Sequence, residues 1–139
     1  VDLIKLFIFT KSLKENEIEE EFVSEDFTAR EIDSLVRRLF NDNFIEKEGK
    51  KIQIINGTDV SGLGNRLARL IVNMGGDVII VATENSEQKH SQIAYTGDKS
   101  YTVERLNKLL GFNTIESKNR MIADIIITIG IDSLDSLSF

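Results

Sequence analysis

The chain has 139 residues, 41% hydrophobic and 7% aromatic, with a formal charge of −6 from 17 Lys and Arg against 23 Asp and Glu. That length and apolar content suit one domain with its own core and exclude global disorder. The absence of cysteine excludes disulfides, thiolate zinc sites and a Cys nucleophile. A single histidine leaves little room for a His-based metal site or a Ser-His-Asp triad, and a pI near 4.9 argues against nucleic acid as a partner.

The first residue is Val1 rather than Met, which reads as a piece of a longer protein. Residues 1–50 carry 13 acidic and 8 basic side chains, against 10 and 9 in the rest, so the charge excess sits in front and marks a boundary near Lys50. We divide the chain into a connector (1–50) with one strand and one helix, a domain (51–132) and a flexible tail (133–139). Residues 3–10 read as a strand; the apolar run is far short of the ~20 residues that span a bilayer. A strand without an upstream neighbour tends to pair with another edge, so a homo-oligomer is one expectation. Residues 11–21 are a solvated charged run. Thr28-Ala29-Arg30-Glu31 is a capping box, and Ile32, Leu35, Val36, Leu39 and Phe40 make one apolar helical stripe after it.

Beyond a charged turn at residues 46–50, strand and helix alternate. Residues 51–55 form a strand. Ser61 is placed to cap a helix with Leu63, Leu67, Leu70, Ile71 and Met74 inward, and Gly75 stops it. Val78-Ile79-Ile80-Val81 is a continuous β-branched run, expected to be covered on both faces. Residues 92–96 form a strand with Ile93 and Tyr95 on one side. Ser100 caps a second helix with Val103, Leu106, Leu109 and Leu110 inward, ended by Gly111. Residues 113–116 form a brief edge strand, and residues 123–131 a central one. The fold class is α/β (α+β): a single sheet with two helices on one face, in a split-βαβ, β-α-β-β-α-β ferredoxin-like plan, preceded by the strand-helix connector.

The three-glycine connection Asn56-Gly57-Thr58-Asp59-Val60-Ser61-Gly62-Leu63-Gly64 reads either as a tight β-to-α turn or as an anion or sugar contact at a helix start. It is neither G-x-G-x-x-G nor a Walker loop, since no Lys follows the glycines. Asn56, Gly57, Thr58, Ser61 and Gly62, with Tyr95 as a stacking ring, are the candidate ligand- or partner-binding residues. Asp59, Asp98, Asp124 and Asp132 have no spacing that enforces a catalytic pair; isolated loop acids usually bind backbone. His90 reads as a surface histidine. No catalytic residue, metal or cofactor is expected.

The ordered set Asn56-Gly57-Thr58, Gly62-Leu63-Gly64, Gly75, Val78 to Val81, Ile93-Ala94-Tyr95, Leu110-Gly111, Ala123-Asp124 and Gly130-Ile131-Asp132 resembles the C-terminal domain of LytR-CpsA-Psr cell-envelope proteins. About 80 residues take part. Two departures are Gly64, where the family has Ala, and Gly76-Asp77, where it has an apolar residue. The resemblance implies an extracytoplasmic, non-catalytic domain of a wall-assembly protein that attaches anionic polymers to peptidoglycan. It implies wall glycan or an envelope protein as partner, and membrane attachment only through a segment outside this chain. Two alternatives stay open: a small enzyme handling phosphate- or pyrophosphate-linked lipids, and a pure oligomerisation module.

Overall fold

The computed structural model describes residues 41–135, together with Arg37. The strand expected over residues 3–10 and the capping box at Thr28 lie outside the described residues. So does the apolar stripe that follows, apart from Arg37, which is helical.

The elements in order are α1 (Asn43–Glu48), β1 (Lys51–Asn56), α2 (Leu63–Asn73), β2 (Asp77–Thr83), β3 (Gln92–Tyr95), α3 (Tyr101–Leu110), β4 (Asn113–Glu116) and β5 (Ile125–Ile129), then a 3-10 turn (Ile131–Ser133). The five strands form one sheet in the order β2-β1-β5-β3-β4. β1 runs parallel to β2 and β5, β3 parallel to β4, and β3 antiparallel to β5. The β-α-β-β-α-β ferredoxin-like plan therefore stands, with both helices on one face. The strand order differs from a split arrangement, because each βαβ unit closes on neighbouring strands. The inserted strand, β5, falls between the two units instead. It has the most continuous isoleucine run in the chain and takes the central place, where both of its edges are paired.

Alternation along the strands sorts the two sheet faces. Ile52 and Ile54 of β1, Ile93 of β3, and Ile125, Ile127 and Ile129 of β5 are essentially fully buried beneath the helices. Leu63, Leu67, Leu70 and Ile71 of α2 and Val103, Leu106, Leu109 and Leu110 of α3 complete one core. Each such side chain contributes ~1.5–3 kcal/mol before entropy is subtracted. On the opposite face Gln53, Ile55, Ala94, Ile126 and Thr128 are only half-buried. At the lower end the Asp124 carboxylate accepts from Lys51 N–H (2.8 Å), and Asp124 N–H donates to the Lys51 carbonyl (2.9 Å). This acid binds backbone, as an isolated loop acid is expected to.

β2 is an edge strand and none of its residues is fully buried, so the expectation that it is covered on both faces is not met. Its unbroken β-branched run has a different cause. Ile52 pairs with Val78 and Gln53 with Ile80, which leaves Ile79 as an unpaired extra residue. A bulge of this kind breaks the alternation that an edge strand otherwise shows.

The helix ends divide in a similar way. Ser100 caps α3 by accepting from Val103 N–H, and Gly111 ends it at φ 70°. α2 has no side-chain cap. Its N-cap is Gly62 at φ 81°, a conformation Ser61 could adopt only with strain, so the expected Ser61 cap is not formed. At the other end of α2, Gly75 at φ 103° and Gly76 make a Schellman closure. Gly76 N–H donates to the Ile71 carbonyl (2.9 Å) and Gly75 N–H to the Val72 carbonyl (3.0 Å). A Cβ at Gly76 would stand 2.4 Å from Ile71 Cγ2 and 3.0 Å from the Ile71 carbonyl oxygen, so no side chain fits there without a shift. The family departure at this position is thus a packing requirement of this core. Gly64 is also tight, 3.0 Å from Val81 Cγ1 by the same measure. Gly76→Ala is expected to destabilise the fold by about 1–3 kcal/mol, read as a lower urea midpoint with an unchanged slope.

Candidate functional site

The upper end of the sheet, where β1 and β5 finish and β3 and β4 begin, gathers the connection over residues 56–62, the loop over residues 84–91, and residues 130–134. The first half of the β1–α2 connection is buried. Asn56 Oδ1 accepts from Thr58 N–H (3.1 Å) and Thr58 Oγ1 (2.7 Å), and Asn56 Nδ2 donates to the Val60 carbonyl (2.9 Å). Val60 N–H donates to Thr58 Oγ1 (3.2 Å) and Gly57 N–H to the Ile129 carbonyl (2.9 Å). The amides of Gly57, Thr58 and Val60 therefore already have partners and form no free cradle for a phosphate. Asp59, Ser61 and Gly62 are exposed on the outer half of the turn.

Of the sequence candidates, the structure brings together Asn56, Gly57, Thr58, Ser61 and Gly62. It does not bring Tyr95 to them. Tyr95 pairs with Ile125 while Asn56 pairs with Ile129, so they lie four residues of β5 apart, about 13 Å along the strand. Tyr95 packs half-buried against the core instead. Arg66, Arg69 and Asp59 are all exposed.

Two glycines close this end on the loop over residues 84–91. Glu84 N–H donates to the Asn56 carbonyl (3.0 Å), Gln88 N–H to the Gly57 carbonyl (2.7 Å) and Ile131 N–H to the Gln88 carbonyl (2.9 Å). A Cβ on Gly57 would lie 2.5 Å from Gln88 Cγ and 2.8 Å from the Ile129 carbonyl oxygen. A Cβ on Gly130 would meet the His90 carbonyl carbon at 2.5 Å and Ser91 N at 2.7 Å. The loop fits only because both positions lack side chains.

Sequence reading missed a polar cluster beside this seam. Asp132 Oδ1 accepts from Ser91 N–H (2.9 Å) and Ser91 Oγ (2.6 Å), and Gly130 N–H donates to Ser91 Oγ (2.8 Å). Ser133 Oγ donates to the Gly130 carbonyl (2.7 Å). Ser133 is 2% exposed, so the tail assigned from residue 133 begins inside the fold. His90 Nδ1 stands 3.7 Å from Asp132 Oδ2, on a side chain that is largely exposed. It does not lie between Ser91 and Asp132, so the three make no relay. The closing Gly-Ile-Asp motif was the available signal, but nothing local marks Ser91 as its partner.

A second missed constellation joins residues 42–48 to the start of α3. Glu48 Oε1 accepts from Tyr101 N–H (3.0 Å), and Glu48 Oε2 accepts from Thr102 N–H (2.9 Å) and the Thr102 hydroxyl. Asp42 Oδ2 accepts from the Tyr101 hydroxyl (2.8 Å), with Arg105 Nε at 3.6 Å, and the Phe44 and Tyr101 rings meet at 5.4 Å. Ile45 enters the core. Partial burial pushes the Glu48 carboxyl up, but the hydrogen bonds from Thr102 and Tyr101 and the charge of Lys50 outweigh it, so its pKa is lowered. The folded carboxyl thus holds its proton less tightly than the unfolded one. Its stabilisation is complete above the ordinary value of 4.5 and is lost as pH falls through the lower folded value.

Fold and site together define a small mixed domain whose signature glycines close loops over the end of one five-stranded sheet. The family model of the LytR cell envelope-related transcriptional attenuator matches residues 50–132, and the chain belongs to that family. It is a cell-envelope-related domain. Comparison with curated proteins and with solved structures returned no match. Among the described residues no helix is long and apolar enough to cross a membrane.

Both constellations can be tested by denaturation. Gly130→Ala should fall at or beyond the upper end of the ~1–3 kcal/mol overpacking range, because its new methyl meets backbone. Gly57→Ala should cost a similar amount, because its methyl would meet the Ile129 carbonyl oxygen, and turning the Gln88 side chain aside does not relieve that contact. Glu48→Gln should lose about 1 kcal/mol at neutral pH, and its stability should fall less steeply than wild type below pH 4.5.

Proposed function

We propose that this chain is a non-catalytic, extracytoplasmic accessory domain in wall assembly, acting where anionic polymers are attached to peptidoglycan, and that it binds wall glycan. The observation that carries the reading is the family match over residues 50–132. Of the motifs, Asn56-Gly57-Thr58, Gly62-Leu63-Gly64, Leu110-Gly111 and Gly130-Ile131-Asp132 lie at the upper end of the sheet. Asp59, Ser61 and Gly62 form the contact surface, exposed as a glycan site requires. Asn56, Gly57 and Thr58 act beneath them by holding the turn in shape through the Asx network. Tyr95 lies too far along the sheet to stack on the same sugar. The phosphate- or pyrophosphate-lipid reading has less support in the first half of the turn, where the amides of Gly57, Thr58 and Val60 are already bonded within the fold.

Titration of the isotope-labelled chain with soluble peptidoglycan fragments is expected to shift the amides of Thr58, Asp59, Ser61 and Gly62 in a saturable way. No shift at millimolar fragment would remove glycan as the ligand. Capture of an envelope protein that is lost on Ser61→Arg would then point to a protein partner on the same surface.

A further inference from the structure

A pocket of about 120 Å³ opens between the end of α3 (Leu110, Gly111), Asn113 at the start of β4, and Ser91, Asp132 and Ser133. It is well below the ~300–1,000 Å³ of sites that enclose a whole small molecule, so it suits a terminal group. None of the residues lining it is basic. Ser91 directs its hydroxyl hydrogen to Asp132 Oδ1 while its oxygen accepts from Gly130 N–H, and Ser133 directs its hydroxyl hydrogen to the Gly130 carbonyl, so neither hydroxyl offers a donor to an anionic guest. α3 contributes its carbonyl end, with Gly111 N–H turned back to the Asn107 carbonyl, and the helix dipole is negative there. Asp132 is held in place through Oδ1, while Oδ2 has His90 Nδ1 at 3.7 Å as its charged neighbour among the described residues.

We propose that this pocket binds a primary ammonium group at the end of a chain or ring substituent, with Asp132 as its counter-charge. The amine of a lysine-like side chain and that of an amino sugar share this chemistry. The proposal goes beyond the glycan surface at Asp59, Ser61 and Gly62 and does not depend on it.

The test is a titration of the full isotope-labelled chain with n-butylammonium chloride, using n-butanol as the uncharged control. Saturable shifts of the Ser91, Gly111, Asn113 and Ser133 amides are expected with the amine alone. Asp132→Asn keeps an oxygen for Ser91 while removing the charge, and should weaken binding about tenfold or more. Asn113→Lys brings an ammonium of its own to the mouth and should abolish the shifts; it decides the matter if Asp132→Asn does not fold. Parallel titrations with Nα-acetyl-lysine methylamide and with glucosamine show by their midpoints which source fits better. No saturable shift with n-butylammonium, equal shifts with n-butanol, or full binding by folded Asp132→Asn would each overturn the proposal.

Discussion

The architecture depends on the pairing of β5. The two βαβ units are joined in the sheet through this one strand, parallel to β1 on one side and antiparallel to β3 on the other. Its inward isoleucines, Ile125, Ile127 and Ile129, are buried under both helices, so the strand links the units by hydrogen bonds and by a shared core at once. A charge at any of these positions would have to be desolvated without a partner.

Closure of the upper end follows from that arrangement. Because β5 ends beside β1, Gly130 and Gly57 come close, and the loop over residues 84–91 passes against both. Backbone groups that would otherwise be orphaned at the strand ends find each other there. Gly57 and Gly130 of the family pattern are therefore explained by contact distances, while the outer half of the turn is left exposed at the surface.

Much of this was legible in sequence where the cause is local. Gly75 and Gly111 end helices because a left-handed residue is needed there, and the brief edge strand expected over residues 113–116 is β4, at the edge of the sheet. β2 was misjudged because a bulge and a central position leave the same β-branched run. Ser61 was misjudged as a cap because the position needs φ 81°, which its neighbour Gly62 supplies. The pocket and the Glu48 cap were not legible at all. Ser91 and Asp132 are 41 residues apart, and Glu48 and Thr102 are 54, so only the folded sheet brings them together. The six-residue α1 carries local signals at both ends, the Asp42 cap and Gly49 at φ 57°, but it buries only Ile45 and so shows no apolar stripe.

The parallel, adjacent placement of β1 and β5 also has a mechanical consequence. The preceding chain joins β1 at its lower end, and the following chain leaves β5 at its upper end. Tension drawn between those two points would act along the strands in shear. The ladder from Ile52–Ile125 to Asn56–Ile129 would then have to yield together instead of opening one bond at a time.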